Sequence, residues 1–335
     1  MAGVAPLLDV RDLTIEYPRG RNLPSFKAVD GVSLQVQPGE TLGLVGESGA
    51  GKSSLGNAVL GLAPVSSGAI TFAGTDITKI GARERRALSA QLQVVFQNPY
   101  SSLNPLRTVG QAVVEPLEVH RDLSRRERDA EVARMLQRVG LPPDAASGYP
   151  AQFSGGQRQR IAIARALILA PRLVLCDEPV SALDLSVQAQ IINLLRDLQE
   201  ELGTSYLFVS HDLAVVRNLS HRIVVLYRGR VMESGPAGPV SESPGHPYTR
   251  ALLAAAPVPN PELQRRRRAA RQALTRGGRP GRPGDAGCPF APRCPHAIAV
   301  CREEQPALLP VAQDTAAACH RYAELNAGEV RKTGA

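Results

Sequence analysis

Residues 46–53 read Gly46-Glu47-Ser48-Gly49-Ala50-Gly51-Lys52-Ser53, which satisfies the spacing G-x-x-x-x-G-K-[ST] in full. That combination suits one task, the holding of a polyphosphate. Glycines let successive backbone N–H groups close around phosphate oxygens, and a helix that follows turns its positive end toward them. Lys52 then reaches the outer phosphates, and Ser53 offers its hydroxyl to Mg²⁺. Farther on, Arg172-Leu173-Val174-Leu175-Cys176-Asp177-Glu178 is an apolar stretch that ends in two acids. Asp177 is placed to hold Mg²⁺, and Glu178, one residue beyond, to polarise an attacking water. Either acid alone reads equally well as a helix cap; with the glycine loop upstream, the pair points to a nucleotide site.

These groups need a scaffold that delivers them to one edge. Residues 42–45 and 173–176 are short, almost wholly apolar runs of the kind that form strands buried on both faces, and 207–209 and 223–226 read the same way. The first three are each followed by a turn and a helix-like segment, such as 54–62 after the glycine loop. The pattern predicts an α/β fold with a mainly parallel sheet plus an antiparallel β part. Between 98 and 153 strand runs vanish. There 124–139 reads as a charged amphipathic helix that stops at Gly140 and Pro142, so this stretch is expected to be a helical insertion. The expected organisation is a nucleotide-binding domain over 1–240 and a C-terminal extension over 241–335. That extension opens with a short helix at 248–256.

The bulk numbers fit one large domain with an appendage: 335 residues, 43 % of them hydrophobic. No run of about 18 apolar residues is present, and 1–12 does not resemble a secretory leader, so the chain is expected in the cytoplasm. The net charge of +8 suggests nucleic-acid binding at first sight. Its distribution argues otherwise, because eight arginines and no acid lie between Arg265 and Arg282, and these equal the whole excess. A basic run rich in Gly and Pro reads as a solvated linker, here 262–287, or else as a contact to anionic lipid headgroups through Arg265–Arg268.

A third phosphate-directed element is Phe153-Ser154-Gly155-Gly156-Gln157, followed by Arg158-Gln159-Arg160 and an apolar helix-like run at 161–169. Ser154 and its two glycines make another helix N-terminus suited to an anion. Standing between the glycine loop and Asp177, this element resembles the signature of ABC ATPases, with Phe153 in place of the commoner Leu. The segment Val95-Phe96-Gln97-Asn98-Pro99-Tyr100-Ser101-Ser102-Leu103-Asn104-Pro105 resembles the dipeptide, oligopeptide and nickel importer branch of that family. So does Gly245-His246-Pro247-Tyr248-Thr249-Arg250.

The resemblance implies the remaining assignments. Gln97 matches the glutamine that senses Mg²⁺ and water, Ser181-Ala182-Leu183-Asp184 the loop at the dimer interface, and His211 the histidine that contacts the γ-phosphate. Ser54 completes the phosphate-loop contacts. Tyr17 lies where the family stacks an aromatic ring on adenine, with Phe26 as the alternative; base stacking on aromatics is worth about 1–3 kcal/mol. Lys52, Gln97, Glu178 and His211 are thus the implied catalytic set. Two such ATPase subunits would pack head to tail, with the loop of one and the signature of the other enclosing each ATP. They would serve two transmembrane permease subunits and an extracytoplasmic solute-binding protein, at the cytoplasmic face of the membrane. The expected solute is a dipeptide or oligopeptide, with nickel as the alternative. A soluble ABC ATPase acting on nucleic acid is the rival from another class. Against it, the insertion between loop and signature is small and only one nucleotide module is present.

Cys288, Cys294, Cys301 and Cys319 are separated by five, six and seventeen residues. Four thiolates suit a [4Fe–4S] cluster or tetrahedral zinc, and the spacing matches neither common zinc ribbons nor ferredoxin runs. The importer resemblance favours iron–sulfur. His296 and His320 read first as surface residues, with substitution as ligands the alternative.

Overall fold

The computed structural model describes residues 5–20, 25–98, 102–255, 286–311 and 314–326. Residues 99–101 of the quoted importer-like segment and nearly all of the arginine-rich stretch lie outside them.

The strands are β1 (Leu8–Tyr17), β2 (Phe26–Val36), β3 (Thr41–Val45), β4 (Ser67–Phe72), β5 (Thr75–Asp76) and β6 (Leu92–Val95). They continue with β7 (Leu173–Asp177), β8 (Ser205–Ser210), β9 (Arg222–Tyr227), β10 (Arg230–Pro236), β11 (Leu309–Pro310) and β12 (Ala316–Ala317). The larger sheet runs β11-β12-β10-β9-β3-β8-β7-β6. From β9 to β6 its neighbours pair in parallel, and β10, β12 and β11 add an antiparallel edge. A second sheet, β2-β1-β4-β5, is antiparallel throughout.

Period-two alternation explains why the parallel strands read as unbroken apolar runs. Val174, Cys176, Tyr206, Phe208, Ile223 and Val225 pack into one core. Leu173, Leu175, Leu207, Val209, Val224 and Leu226 pack into the other, on the opposite face. The second core is closed by helix α1 (Lys52–Leu60) and the antiparallel sheet, through residues such as Leu13, Ile15, Leu55 and Ile70. The short helix α2 (Ala82–Leu88) follows β5.

The first core is closed by helices. After β6 the chain forms α3 (Val109–His120) and α4 (Arg125–Arg138), then two 3₁₀ turns, then α5 (Gly155–Leu167). Thr108 and Ser124 cap α3 and α4, each with a reciprocal bond from the residue three places on. Val113, Leu117, Val132 and Leu136 of this helical region join Ile161 and Ile163 of α5 in the first core. Helices α6 (Leu185–Leu202) and α7 (Leu213–Arg217) complete that layer.

Among the described residues, the chain after β10 adds to the first core and forms no separate one. Helices α8 (Ala237–Glu242) and α9 (Pro247–Ala255) and the 288–301 region contribute Val240, Tyr248, Cys288, Phe290 and Cys301 to the same first core. Residues 316–317 add a strand to the main sheet. Glu233 of β10, fully buried, accepts the backbone N–H groups of Gly245 (2.7 Å) and His246 (3.0 Å). That carboxylate anchors the Gly-His-Pro-Tyr turn from which α9 starts.

Candidate functional site

Strands β3, β6, β7 and β8 are parallel, so the loops leaving their C-terminal ends gather along one edge, where open α/β sheets bind ligands. The loop 46–51 leaves β3 and feeds α1. Two of its glycines are required by space: a Cβ on Gly46 would lie 2.2 Å from the Leu226 carbonyl oxygen. Gly51 has φ +102°, and a Cβ there would lie 2.2 Å from the Ala28 oxygen. Because the first turn of α1 follows this left-handed residue with no side-chain cap, the helix begins at Lys52, two residues before the sequence pattern suggests.

Lys52 curls back over the loop and donates to the carbonyl oxygens of Gly46 (2.7 Å) and Glu47 (3.0 Å). Its Nζ is 3.9 Å from Glu178 Oε1. Burial lowers the Lys52 pKa, and the charges of Glu178, Asp177 and Glu47 oppose that shift. Ser53 Oγ donates to Asp177 Oδ1 at 3.4 Å. Burial, then the neighbouring Glu178 charge, raises the Asp177 pKa, with the Ser53 bond and Lys52 pulling the other way. Two oxygen donors side by side in a partly buried acidic setting suit a hard cation such as Mg²⁺.

Glu178 is the meeting point. Its Oε2 accepts from Gln97 Nε2 and lies opposite His211 Nδ1, each at 3.1 Å, and Gln97 Nε2 is also 3.4 Å from Ser181 Oγ. Glu178 has φ +46°, a sparsely populated conformation for a residue with a side chain, and its N–H donates to Val209 O at 3.0 Å. The turn aims the carboxylate back across the sheet edge instead of letting it continue along β7.

A cleft of ≈ 890 Å³ opens over this edge. Tyr17, Phe26, Glu47, Ser48, Gly49, Ala50, Gly51, Lys52, Ser53, Ser54, Gln97, Glu178 and His211 all line it. Tyr17 and Phe26 are cross-strand partners, so both aromatic candidates flank the same space. The Tyr17 hydroxyl donates to Ser54 Oγ at 3.4 Å, and Arg19 covers the Phe26 ring at 4.6 Å. Gly46 and Asp177 are not among the lining residues; Gly46 O accepts from Lys52 and Asp177 Oδ1 from Ser53.

Ser154, Gly155, Gly156, Gln157 and Asp184 are not in this cleft. Ser154 caps α5, accepting from Gln157 N (3.3 Å) while its own N–H donates to Gln157 Oε1 (2.9 Å). Asp184 caps α6 through Val187 N (3.0 Å). The two caps adjoin, since a Cβ on Gly156 would lie 2.6 Å from Val187 Cγ1.

The four C-terminal cysteines line one small cavity of ≈ 20 Å³ with His246, His296 and His320, about the room one water needs. Burial pushes the Cys288 thiol up to about 11 and raises Cys294 and Cys319 as well. Among the described residues no group of three or more His, Cys, Asp or Glu side chains is disposed to hold a metal ion. The four thiols nonetheless converge on one space.

Sequence reasoning missed a set of residues that reach the nucleotide loop from the C-terminal region. Arg293 grips the Glu47 carboxylate with both terminal nitrogens, at 2.7 and 2.9 Å. The Tyr248 hydroxyl accepts the Glu47 backbone N–H at 2.9 Å. Leu252 and Ala255 of α9 also line the cleft. No local pattern signals any of these contacts.

Comparison with known proteins agrees with this geometry. Residues 29–181 match the family model described as ABC transporter, and 232–301 match that of the oligopeptide/dipeptide transporter C-terminal region. The chain is 48 % identical to a probable peptide ABC transporter ATP-binding protein of Sinorhizobium fredii, covering 97 % of this chain and 92 % of the relative. It is 44 % identical to the oligopeptide transport ATP-binding protein OppF of Salmonella typhimurium, across 90 % and 92 % of the two chains. Among solved structures, a dimeric ATP-binding cassette in a post-hydrolysis state bound to ADP and Pi aligns with TM-score 0.63. That match has 31 % identity and spans 69 % of this chain and 98 % of the other.

Proposed function

The chain belongs to the ABC transporter family, and from that premise we propose that it is the ATP-hydrolysing subunit of a membrane importer whose solute is a dipeptide or oligopeptide. The observation that supports this most is the convergence of Lys52, Gln97, Glu178 and His211 on one cleft over the phosphate loop.

In this reading Tyr17 or Phe26 stacks on the adenine, and the N–H groups of 46–53 with Lys52 hold the β- and γ-phosphates. Ser53, Asp177 and Gln97 would hold Mg²⁺, whose charge offsets that of the phosphate oxygens. Glu178 orients the attacking water and takes its proton as the water oxygen bonds to the γ-phosphorus and the bond to the leaving ADP oxygen breaks. Gln97 and His211 fix the carboxylate, and His211 faces the γ-phosphate. Ser154–Gln157 and Asp184 lie outside the cleft and serve the site of a second ATPase subunit, of the same or a related chain. A second helix N-terminus over the γ-phosphate adds donors where charge develops.

Residues 1–240 act as the ATP-binding domain, with the helical part 98–153 inserted, and 241–335 as the extension with its linker at 262–287. Among the described residues no helix is long and apolar enough to cross a membrane. The proposed partners are two transmembrane permease subunits, reached from the cytoplasmic face, with an extracytoplasmic solute-binding protein acting through them. Four thiols facing one cavity are the donor set of a [4Fe–4S] cluster or of zinc, and we assign Cys288, Cys294, Cys301 and Cys319 to such a group. The cavity has to widen to admit it, and iron and zinc analysis of anaerobically purified protein tests the assignment.

The deciding experiment measures ATP hydrolysis by this subunit co-purified with its membrane partners and binding protein, against di- and oligopeptides and against nickel. Stimulation by a peptide is the expected result. Stimulation by nickel alone reassigns the solute, and stimulation by DNA or RNA without any membrane partner overturns the importer reading.

A further inference from the structure

Glu47 is an acid at an unrestricted position of the glycine loop. It lies in the loop that, on the reading above, receives a polyphosphate, and an unpaired carboxylate there repels that ligand. The structure gives it a partner from far along the chain. Arg293 ends a single 3₁₀ turn, Ala291–Arg293, that lies between Cys288 and Cys294. Its guanidinium makes the two-pronged contact with Glu47 and reaches the Tyr227 hydroxyl at 3.3 Å.

That turn is itself held firmly. The rings of Tyr227, Tyr248 and Phe290 form a cluster with centroids 4.5, 5.4 and 5.5 Å apart, and Arg293 lies 5.6 Å from the Phe290 centroid. Tyr248 and Phe290 are buried, and Cys288 N–H donates to Cys301 O at 2.8 Å behind them. From this platform the Tyr248 hydroxyl takes the Glu47 N–H, while Lys52 binds the Glu47 carbonyl from the other side. Residue 47 is thus restrained at its amide, its carbonyl and its carboxylate, and two of the three restraints come from the extension.

We propose that Arg293 and Tyr248 are positioning residues of the nucleotide loop, through which the C-terminal extension sets the affinity for nucleotide. Arg293 neutralises Glu47 and holds its carboxylate in one place beside the loop. Tyr248 fixes the backbone at the point where the loop leaves β3. The pair also joins two places otherwise far apart, since Arg293 is the residue before Cys294. A shift of the cysteine-bearing turn moves the loop, and by linkage a nucleotide that orders the loop steadies the turn.

This inference rests on the reading of 46–53 as the nucleotide loop, and the test separates the two. MgADP binding is measured by calorimetry on the full chain, with thermal unfolding as a check on folding. Arg293→Ala is expected to weaken binding about three- to tenfold, a moderate effect because both partners are roughly two-fifths exposed. Arg293→Lys falls between, since it keeps the charge but not the fork. Tyr248→Phe weakens binding by a similar factor. The decisive readout is rescue: adding Glu47→Gln to Arg293→Ala recovers part of the lost affinity by removing the unpaired charge, which a merely structural role does not allow. If Arg293→Ala does not fold, Arg293→Lys and Glu47→Gln, singly and together, carry the same cycle. A parent chain that binds MgADP with Arg293→Ala unchanged, or with the two substitutions simply additive, overturns the inference alone. A parent that binds no MgADP overturns the nucleotide-site reading and the inference together.

Discussion

His211 Nδ1 faces Glu178 Oε2 at 3.1 Å, across the cleft edge formed by β7 and β8. A carboxylate only accepts, so the imidazole carries its proton on Nδ1 toward Glu178, and Nε2 is left for the ligand side. The pair acts as a unit. Glu178→Gln keeps the shape and loses the base, so hydrolysis should fall about 10²–10⁴-fold while ATP still binds. His211→Ala releases the carboxylate from one of its two supports and should also slow turnover. Combined with Glu178→Gln it should add little, because groups that serve one step are not additive. Phosphate release and nucleotide binding, measured side by side, check both statements. Near-normal hydrolysis by Glu178→Gln would remove that residue from its role.

A second expectation follows from Ser154 standing outside the cleft that holds Lys52. If the signature of one subunit completes the site of another, specific ATPase activity of the isolated subunit should rise with protein concentration and then level off. Ser154→Ala costs the α5 cap, about 1 kcal/mol, and should lower the plateau without changing nucleotide affinity at low concentration. Activity per mole that is flat with dilution would rule out completion of the site by a second copy.

The buried turn at 245–248 gives a pH dependence. His246 is buried, its ring hydrogen-bonds the Ala318 backbone, and its Nδ1 accepts the Tyr248 N–H at 3.0 Å. Burial depresses its pKa from 6.5 to about 4, with Arg250 adding to the shift and the Ala318 bond opposing it. The folded state therefore refuses a proton that the unfolded chain takes up near pH 6.5. Stability present above that pH is lost as pH falls toward 4, by about 3 kcal/mol from this group. Thermal unfolding from pH 7.5 to 4.5 should show the loss, and a neutral His246→Asn variant, less stable overall, should show a shallower one.

Gly46 offers the sharpest test of loop geometry. A methyl group there meets the Leu226 carbonyl at 2.2 Å, and neither backbone has room to retreat, because β3 and β9 are paired in register beside it. Gly46→Ala should abolish MgADP binding in calorimetry and lower the unfolding temperature, whereas Gly49→Ala, with open space around its Cβ but φ +77°, should be the milder change.

The parts legible in the sequence were those carried by short, local patterns. Residues 42–45 and 173–176 announce buried strands because both faces of β3 and β7 are covered. Ser124 and Gly140 bracket a helix because capping is a local event. Strand β1 was not located, and its pairing shows why: register shifts between Val10 and Leu13 and again at Ile15 break the two-residue rhythm. Lys52 and Glu178 were readable as neighbours in function since both follow strands with recognisable ends. Arg293 was not, because its meaning depends on a partner 246 positions earlier. The same holds for Tyr248, which stood in a quoted motif whose purpose only the Glu47 amide reveals. Four cysteines suggested a shared site by number, and their convergence on one cavity lies beyond what their spacing reports.

The contact between Tyr248 and Glu47 spans 201 positions of chain. During synthesis the loop at 46–51 emerges long before its acceptor does, and a contact of that separation is among the slowest to form. While only the first part of the chain is available, the amide of residue 47 lacks its phenolic partner and β3 lacks β8 and β9, the strands that pair with it. On the inference above, full nucleotide affinity therefore depends on residues 248 and 293 as well as on the loop itself.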